Sequence, residues 1–135
     1  MGAWGVDSFE NDAACDWAAD FIEDGTFGMV EDALDLALDD SEDMLDASVG
    51  CEALAACEVL ARLQGKSGQE DAYTEDLDAW VKANPQTPPP ALVKKALKAM
   101  DRVIDPEASE LRALWDEPGA DGWLAKVSNL RARLG

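Results

Sequence analysis

Apolar residues recur every three to four positions through most of the chain, which is the spacing of one face of an α-helix. The apolar segment at about 47–64 differs from the others because small and apolar residues cover well over half of its circumference. A helix of that kind has to be surrounded by other helices. No segment alternates apolar and polar residues over a strand's length. We therefore predict an all-α fold, a compact bundle of roughly six to seven helices around this central helix.

Residues that cap and stop helices divide the pattern into elements. Asn11 or Asp12 is expected to cap a helix that ends near Asp24, ahead of Gly25. The proline-rich segment 84–90 is too short to separate two domains, so we expect a single domain over 1–135. Four further helices are predicted over about 26–39, 47–64, 74–84 and 89–104. The next helix is predicted from Asp105, with Pro106 in its first turn, to near Trp115. The last helix is predicted from a cap at Asp121 to Leu134.

The first ten residues contain two large aromatic side chains but no helical or strand period. We predict an ordered N-terminal arm that docks Trp4 and Phe9 on the core, because burying aromatic rings fixes such a segment effectively. We also expect Trp17 and Phe21 of the first helix, together with Trp4, to fill a seam of small side chains on the central helix. The seam consists of Gly50, Ala53, Cys57 and Ala61.

Charge is distributed very unevenly along the chain. The 135 residues carry a net charge of −18, and their hydrophobic fraction of 47% is ordinary for a folded domain. Residues 1–61 contain seventeen acidic residues and no Lys or Arg, whereas 91–135 contain eight basic and seven acidic residues. The charges therefore predict a folded domain with one strongly acidic side.

Several classes of chemistry are excluded or disfavoured. The chain has no histidine, which excludes the Ser-His-Asp and Cys-His catalytic arrangements. Its three cysteines lack Cys-x-x-Cys spacing, so we expect buried free thiols and neither metal nor cofactor. An EF-hand-like series that begins at Asp20 has Ile22 where a ligand oxygen is needed. With no signal peptide and no long apolar span, we expect a cytoplasmic protein that does not contact the membrane.

Two further groups of charged residues have structural explanations. Glu58 and Arg62 have the i,i+4 spacing of a helical ion pair, and we expect them on a narrow polar edge of the central helix that reaches the surface. A basic stripe on the fifth helix, at Lys94, Lys95, Lys98 and Arg102, is expected to be solvated or paired within the protein. The negative charge of the whole chain opposes nucleic-acid binding by this stripe.

A family resemblance is carried mainly by the N-terminus. The string Met1-Gly-Ala-Trp-Gly5, followed by Phe9-Glu-Asn-Asp12 and Asp16-Trp17, resembles the start of a bacterial family known as domain of unknown function 4259. The segments 53–65 and 109–134 are also similar to this family, although Asp7 stands where the family would have glycine. The resemblance implies a bacterial, cytosolic protein. It brings no assigned activity and no catalytic residue.

Two functional hypotheses remain open. The first is a protein-interaction module, of an inhibitor or immunity-like kind, whose acidic N-terminal half binds a basic protein. The alternative is a carboxylate-based ligand-binding or hydrolytic domain with a small cleft near Trp4, in which Asp12, Asp16 and Glu58 meet. The sequence favours a protein that is not an enzyme, and it does not determine the oligomeric state. The candidate interaction face consists of Asp16, Glu23, Glu31, Asp32, Asp35 and Asp39.

Overall fold

The computed structural model describes residues 5–39, 44–66, 68 and 70–135, and over these residues it is all-helical. Leu45 and Ser109 form an isolated bridge, and the described residues contain no strand. The predicted fold class is therefore confirmed. The described residues form seven helices: α1 (Asp12–Asp24), α2 (Phe27–Leu38), α3 (Ala47–Leu63), α4 (Glu75–Ala83), α5 (Pro90–Val103), α6 (Glu110–Asp116) and α7 (Asp121–Leu134).

Helix α3 is the centre of the bundle, because each of the other six helices packs against it. Every residue from 53 to 62 is buried, including the two charged ones. Asp46 caps the helix by accepting a hydrogen bond from the backbone nitrogen of Ser48 at 2.8 Å. The central position predicted for 47–64 is thus confirmed.

The N-terminal arm and α1 fold much as their residues predict. Phe9 is fully buried, and Asn11 caps α1 by accepting from the nitrogen of Ala14 at 2.8 Å. Gly25 ends α1 with a φ of 69°, in the left-handed region that favours glycine. Trp4 lies outside the described residues.

The partner predicted for the small-residue seam of α3 is wrong. A side chain at Gly50 would meet Leu111 and Val103, and the Cys57 thiol lies 3.8 Å from the carbonyl oxygen of Ala96. The seam therefore faces α5 and α6, and the missing side chain at Gly50 leaves room for Leu111 and Val103.

The aromatic rings of α1 pack against each other and against α4 instead. Trp17 is buried and stacks on Phe21 with 5.3 Å between ring centroids. Phe21 in turn meets the ring of Trp80 edge-on at 4.8 Å. These rings join α1 to α4.

Two helix starts differ from the prediction. Helix α6 begins after Ser109, not at Asp105, and Ser109 accepts from the nitrogen of Arg112 at 3.2 Å. Asp105 instead organises a tight turn by accepting from the nitrogen of Glu107 at 2.8 Å. At α7 the residue in the cap position is Ala120, and Asp121 is already the first helical residue.

Candidate functional site

The most unusual feature of the core is a buried carboxylate held by two guanidinium groups. Glu58 and Arg62 are only 3% and 4% exposed. Arg133 of α7 donates to the two oxygens of Glu58 at 2.8 and 3.2 Å, and Arg62 also donates to this carboxylate. The hydroxyl of Ser8 adds a further bond at 3.2 Å. Both carboxylate oxygens of Glu58 are thus occupied by donors.

The i,i+4 pair of Glu58 and Arg62 is confirmed, but its expected position at the surface is wrong. The arm, α4 and α7 cover the polar edge of α3. Arg62 donates through Nε to Asp78 of α4 at 2.8 Å, and its guanidinium lies 5.4 Å from the ring centre of Phe9. A buried ion pair needs such additional partners to offset its loss of water.

The polar network continues from Arg62 into α4. Asp78 accepts from the hydroxyl of Thr74 at 2.8 Å, and Thr74 is fully buried ahead of the first turn of α4. The same hydroxyl lies 3.1 Å from the backbone nitrogen of Asp71, from which it accepts a hydrogen bond. The network therefore connects the arm, α3, α4 and α7.

The ends of α3 and α7 also satisfy each other's polar groups. Arg133 donates to the carbonyl oxygen of Lys66, just beyond α3, at 3.1 Å and to the amide oxygen of Asn129 at 2.8 Å. The side-chain amide of Gln64 faces the carbonyl oxygens of Arg133 and Leu134, and its nitrogen donates to both at 3.2 Å when the amide is oriented to match these acceptors. This exchange fixes the last turn of α7 on α3.

Two pockets lined by charged residues adjoin the network. One, of about 620 Å³, opens beside Glu58 and Arg133. The other, of about 600 Å³, opens beside Arg62 and Asp78, and residues Glu70 and Asp71 line both. The Glu58 pocket is lined by Asp7, Ser8, Glu58, Gly68, Glu70, Asp71, Ala125, Lys126, Asn129 and Arg133.

All six residues of the candidate interaction face are exposed, but they do not have equivalent surroundings. Lys95 of α5 pairs with Asp35 at 2.7 Å and with Glu31 at 3.5 Å on α2. These contacts raise the pKa of Lys95, chiefly through its hydrogen bond to Asp35. The guanidinium of Arg102 donates to the backbone carbonyl of Asp39. Part of the basic stripe is therefore paired within the protein, as predicted.

The outward face of α1 differs from that of α2. Its acidic side chains are exposed, and no lysine or arginine of the described segments pairs with them. They follow the spacing of a single helical face. These residues are Asp12, Asp16, Asp20 and Glu23.

The acidic surface extends from α1 toward the start of α3. The pKa of Glu52 is raised by partial burial and then by the nearby carboxylates of Asp46 and Asp20. Burial also raises the pKa of the Cys15 thiol on α1, with further contributions from Asp12 and Asp16. Like charges thus lie close together along this part of the surface.

The predicted cleft around Glu58 has different walls from those expected. Asp12 and Asp16 lie on the exposed face of α1, and among the described residues neither lines the pocket that Glu58 reaches. Instead, Asp7 and Ser8 contribute the wall that comes from the arm. No three or more His, Cys, Asp or Glu side chains within the described segments are grouped so that they could hold a metal ion.

Sequence reasoning missed Arg133, Ser8 and Asp78 as partners of the Glu58–Arg62 pair. Arg133 is separated from Glu58 by 75 positions and Ser8 by 50. The one available signal was the apolar pattern of α7, which buries Leu130 and Leu134 and places Arg133 next to a buried position at the end of the helix.

A comparison with protein-family models gives a match over residues 2–126, to the family described as domain of unknown function (DUF4259). The chain belongs to the DUF4259 family. The matched range includes Ser8, Glu58, Arg62 and Asp78, whereas Arg133 lies beyond it. No curated protein and no solved structure matches the chain. None of the helices in the described part is both long and apolar enough to cross a membrane.

Proposed function

We propose that this DUF4259 domain is a protein-interaction module that binds a basic protein through the acidic side chains of its N-terminal half. The observation that carries the proposal is the row of exposed carboxylates on α1, which has no basic partner among the described residues. A surface of one sign attracts an oppositely charged partner over distances of about 10 Å at moderate salt. An inhibitor or immunity-like role would use such a surface.

The local electrostatics support an external basic partner. Partial burial raises the pKa of Glu52, and the nearby carboxylates of Asp46 and Asp20 raise it further. A cationic group placed beside these carboxylates would relieve their mutual repulsion. On α2, by contrast, Lys95 already supplies such a group to Glu31 and Asp35. We therefore assign the larger part of the binding energy to α1.

The alternative, a hydrolytic or ligand-binding cleft based on carboxylates, has weaker support. A general acid or base must reach the proton that it transfers. Glu58 is the carboxylate best placed in a pocket, yet its two oxygens already accept bonds from Arg62, Arg133 and Ser8. This arrangement suits a structural or binding role better than proton transfer.

The test is affinity capture from native cell extract with the wild-type chain and a charge variant, at low and high salt. The variant carries Asp16→Asn, Glu23→Gln and Asp32→Asn, all at exposed positions of the candidate face. A control carries Asp76→Asn, Glu107→Gln and Glu117→Gln, which are exposed outside the acidic half. Both change the net charge by the same amount.

We expect the wild type and the control to capture the same basic protein at low salt and to lose it at high salt. The charge variant should capture little of it under either condition. Capture that persists at high salt, or that both variants weaken equally, would contradict the assignment of this face.

A further inference from the structure

The surroundings of Arg133 form a complete binding site for a guanidinium group. Both oxygens of Glu58 accept from its two terminal nitrogens at 2.8 and 3.2 Å. Its Nε donates to Asn129 at 2.8 Å, and a terminal nitrogen also donates to the carbonyl of Lys66 at 3.1 Å. Acceptors in a fork of this kind match the planar geometry of arginine.

We propose that the Glu58 pocket is an arginine-binding site, which the chain's own Arg133 fills in the free protein and which an arginine of a basic partner occupies in the complex. This inference rests on the proposed function, because it takes the partner to be basic. It adds the chemical group that the partner presents and the place where that group binds.

The site can be reached from solvent through the pocket. The pocket of about 620 Å³ opens beside the Glu58–Arg133 contact, although Glu58 itself is only 3% exposed. Its volume is in the range that holds small ligands, roughly 300–1,000 Å³. An incoming side chain could therefore approach the carboxylate from solvent after Arg133 turns away.

Acidic residues outnumber basic residues in the lining of the pocket. Besides Glu58, the lining contains Asp7, Glu70 and Asp71, and among the described residues its basic members are Lys126 and Arg133. Lys126 is already paired with Asp7 at 3.1 Å. If Arg133 left the pocket, its lining would carry a clear excess of negative charge and would favour a cation.

The shape of the site favours a guanidinium over an ammonium group. The backbone at Gly68 approaches the guanidinium so closely that an added Cβ would lie 2.6 Å from the central carbon of that group. A flat group fits against this backbone, whereas the tetrahedral ammonium of lysine cannot use the two-pronged acceptor pattern. The predicted partner residue is therefore arginine and not lysine.

The test compares two arginine variants with two peptides. Arg133→Ala empties the site, and Arg131→Ala removes a neighbouring arginine that pairs with Asp101 on the surface at 2.8 Å. Both make the net charge more negative by one, so they strengthen general attraction equally. Hexa-arginine and hexa-lysine are the probes, titrated at one ionic strength by calorimetry or fluorescence.

We expect Arg133→Ala to bind hexa-arginine about tenfold more tightly than Arg131→Ala does, because one well-formed charged hydrogen-bonded contact is gained. The two variants should bind hexa-lysine equally. Adding Glu58→Gln to Arg133→Ala should abolish the difference. Equal affinities of the two variants for hexa-arginine, or an equal gain for hexa-lysine, would overturn the proposal.

A second measurement covers the case in which Arg133→Ala does not fold. In the wild type, the Nε–H resonance of Arg133 should shift in a saturable way with hexa-arginine and stay unchanged with hexa-lysine. A resonance that responds identically to both peptides would refute an arginine site. Since these tests use no natural partner, they can fail while the salt-dependent capture succeeds, and the reverse also holds.

Discussion

The carboxylates on α1 and the carboxylate of Glu58 lie in opposite environments. The α1 side chains are exposed and lack basic partners among the described residues, whereas Glu58 is buried between Arg62 and Arg133. Exposed charges contribute little to folding and remain available to an external partner. A buried charge must be compensated inside the protein, and removing its partner is costly. In the free protein, the comparison separates charge that is compensated inside the fold from charge that has no basic partner among the described residues.

The largest expected effect is that of Glu58→Ala. It leaves two arginines facing a buried space without their carboxylate, and loss of one partner from a buried pair costs about 3–5 kcal/mol. Asp16→Asn on α1 should change the free energy of unfolding by less than about 0.5 kcal/mol. Urea denaturation of both variants measures the difference. Equal effects would show that Glu58 is no more important to folding than a surface acid.

The second prediction concerns removal of the whole charged group. The triple variant Glu58→Leu, Arg62→Met and Arg133→Met should be more stable than Glu58→Ala, because it leaves no guanidinium without its carboxylate. Asp78 loses its bond to Arg62 but is 34% exposed and can be solvated. The same denaturation experiment applies. A triple variant less stable than Glu58→Ala would mean that the network supplies more than mutual compensation.

Added salt should stabilise the wild type moderately. With a net charge of −18, repulsion among the exposed carboxylates opposes the compact state, and salt screens it. The stability difference between the wild type and Glu58→Ala should stay nearly constant, because buried pairs are screened much less. Thermal denaturation over a series of NaCl concentrations measures both quantities. A wild-type midpoint that falls as NaCl is added would contradict the view that surface repulsion dominates.

The smallest expected effect belongs to Glu52. The pKa of the Glu52 carboxyl is raised in the folded protein, so its ionised form opposes folding. The stability that the neutral carboxyl contributes is lost as the pH rises through the folded pKa. Glu52→Gln should therefore be slightly more stable than the wild type at neutral pH. The difference should vanish below about pH 4, where both states are protonated. Denaturation at several pH values measures the difference, and a Glu52→Gln variant less stable than the wild type at neutral pH would contradict the raised pKa of Glu52.

The extent to which the sequence predicted the fold depends on whether the determining contacts are local. Asn11, Asp46 and Gly25 mark helix ends through contacts within a few residues, and their roles were predictable. The burial of α3 followed from its composition. At Asp105, however, a capping residue followed by proline is also typical of a turn. Helix α6 begins later, after Ser109, which also forms the bridge to Leu45.

The candidate site depends more on long-range contacts. Spacing alone predicted the Glu58–Arg62 pair, but not the arrival of Arg133 from α7 or of Ser8 from the arm. A seam of small residues around Gly50 indicates that other helices approach closely, yet it does not identify α5 and α6 as those helices. The acidic face was visible in the composition, whereas its division into a paired part on α2 and an unpaired part on α1 required the position of Lys95.

The central claim, that the acidic N-terminal half recruits a basic protein, is tested most directly by the salt dependence of affinity for the captured partner. We expect the logarithm of the association constant to fall steeply with the logarithm of salt concentration for the wild type and for the variant at Asp76, Glu107 and Glu117. The variant at Asp16, Glu23 and Asp32 should bind more weakly and with a clearly shallower slope. An affinity indifferent to salt, or identical slopes for the two variants, would contradict the claim.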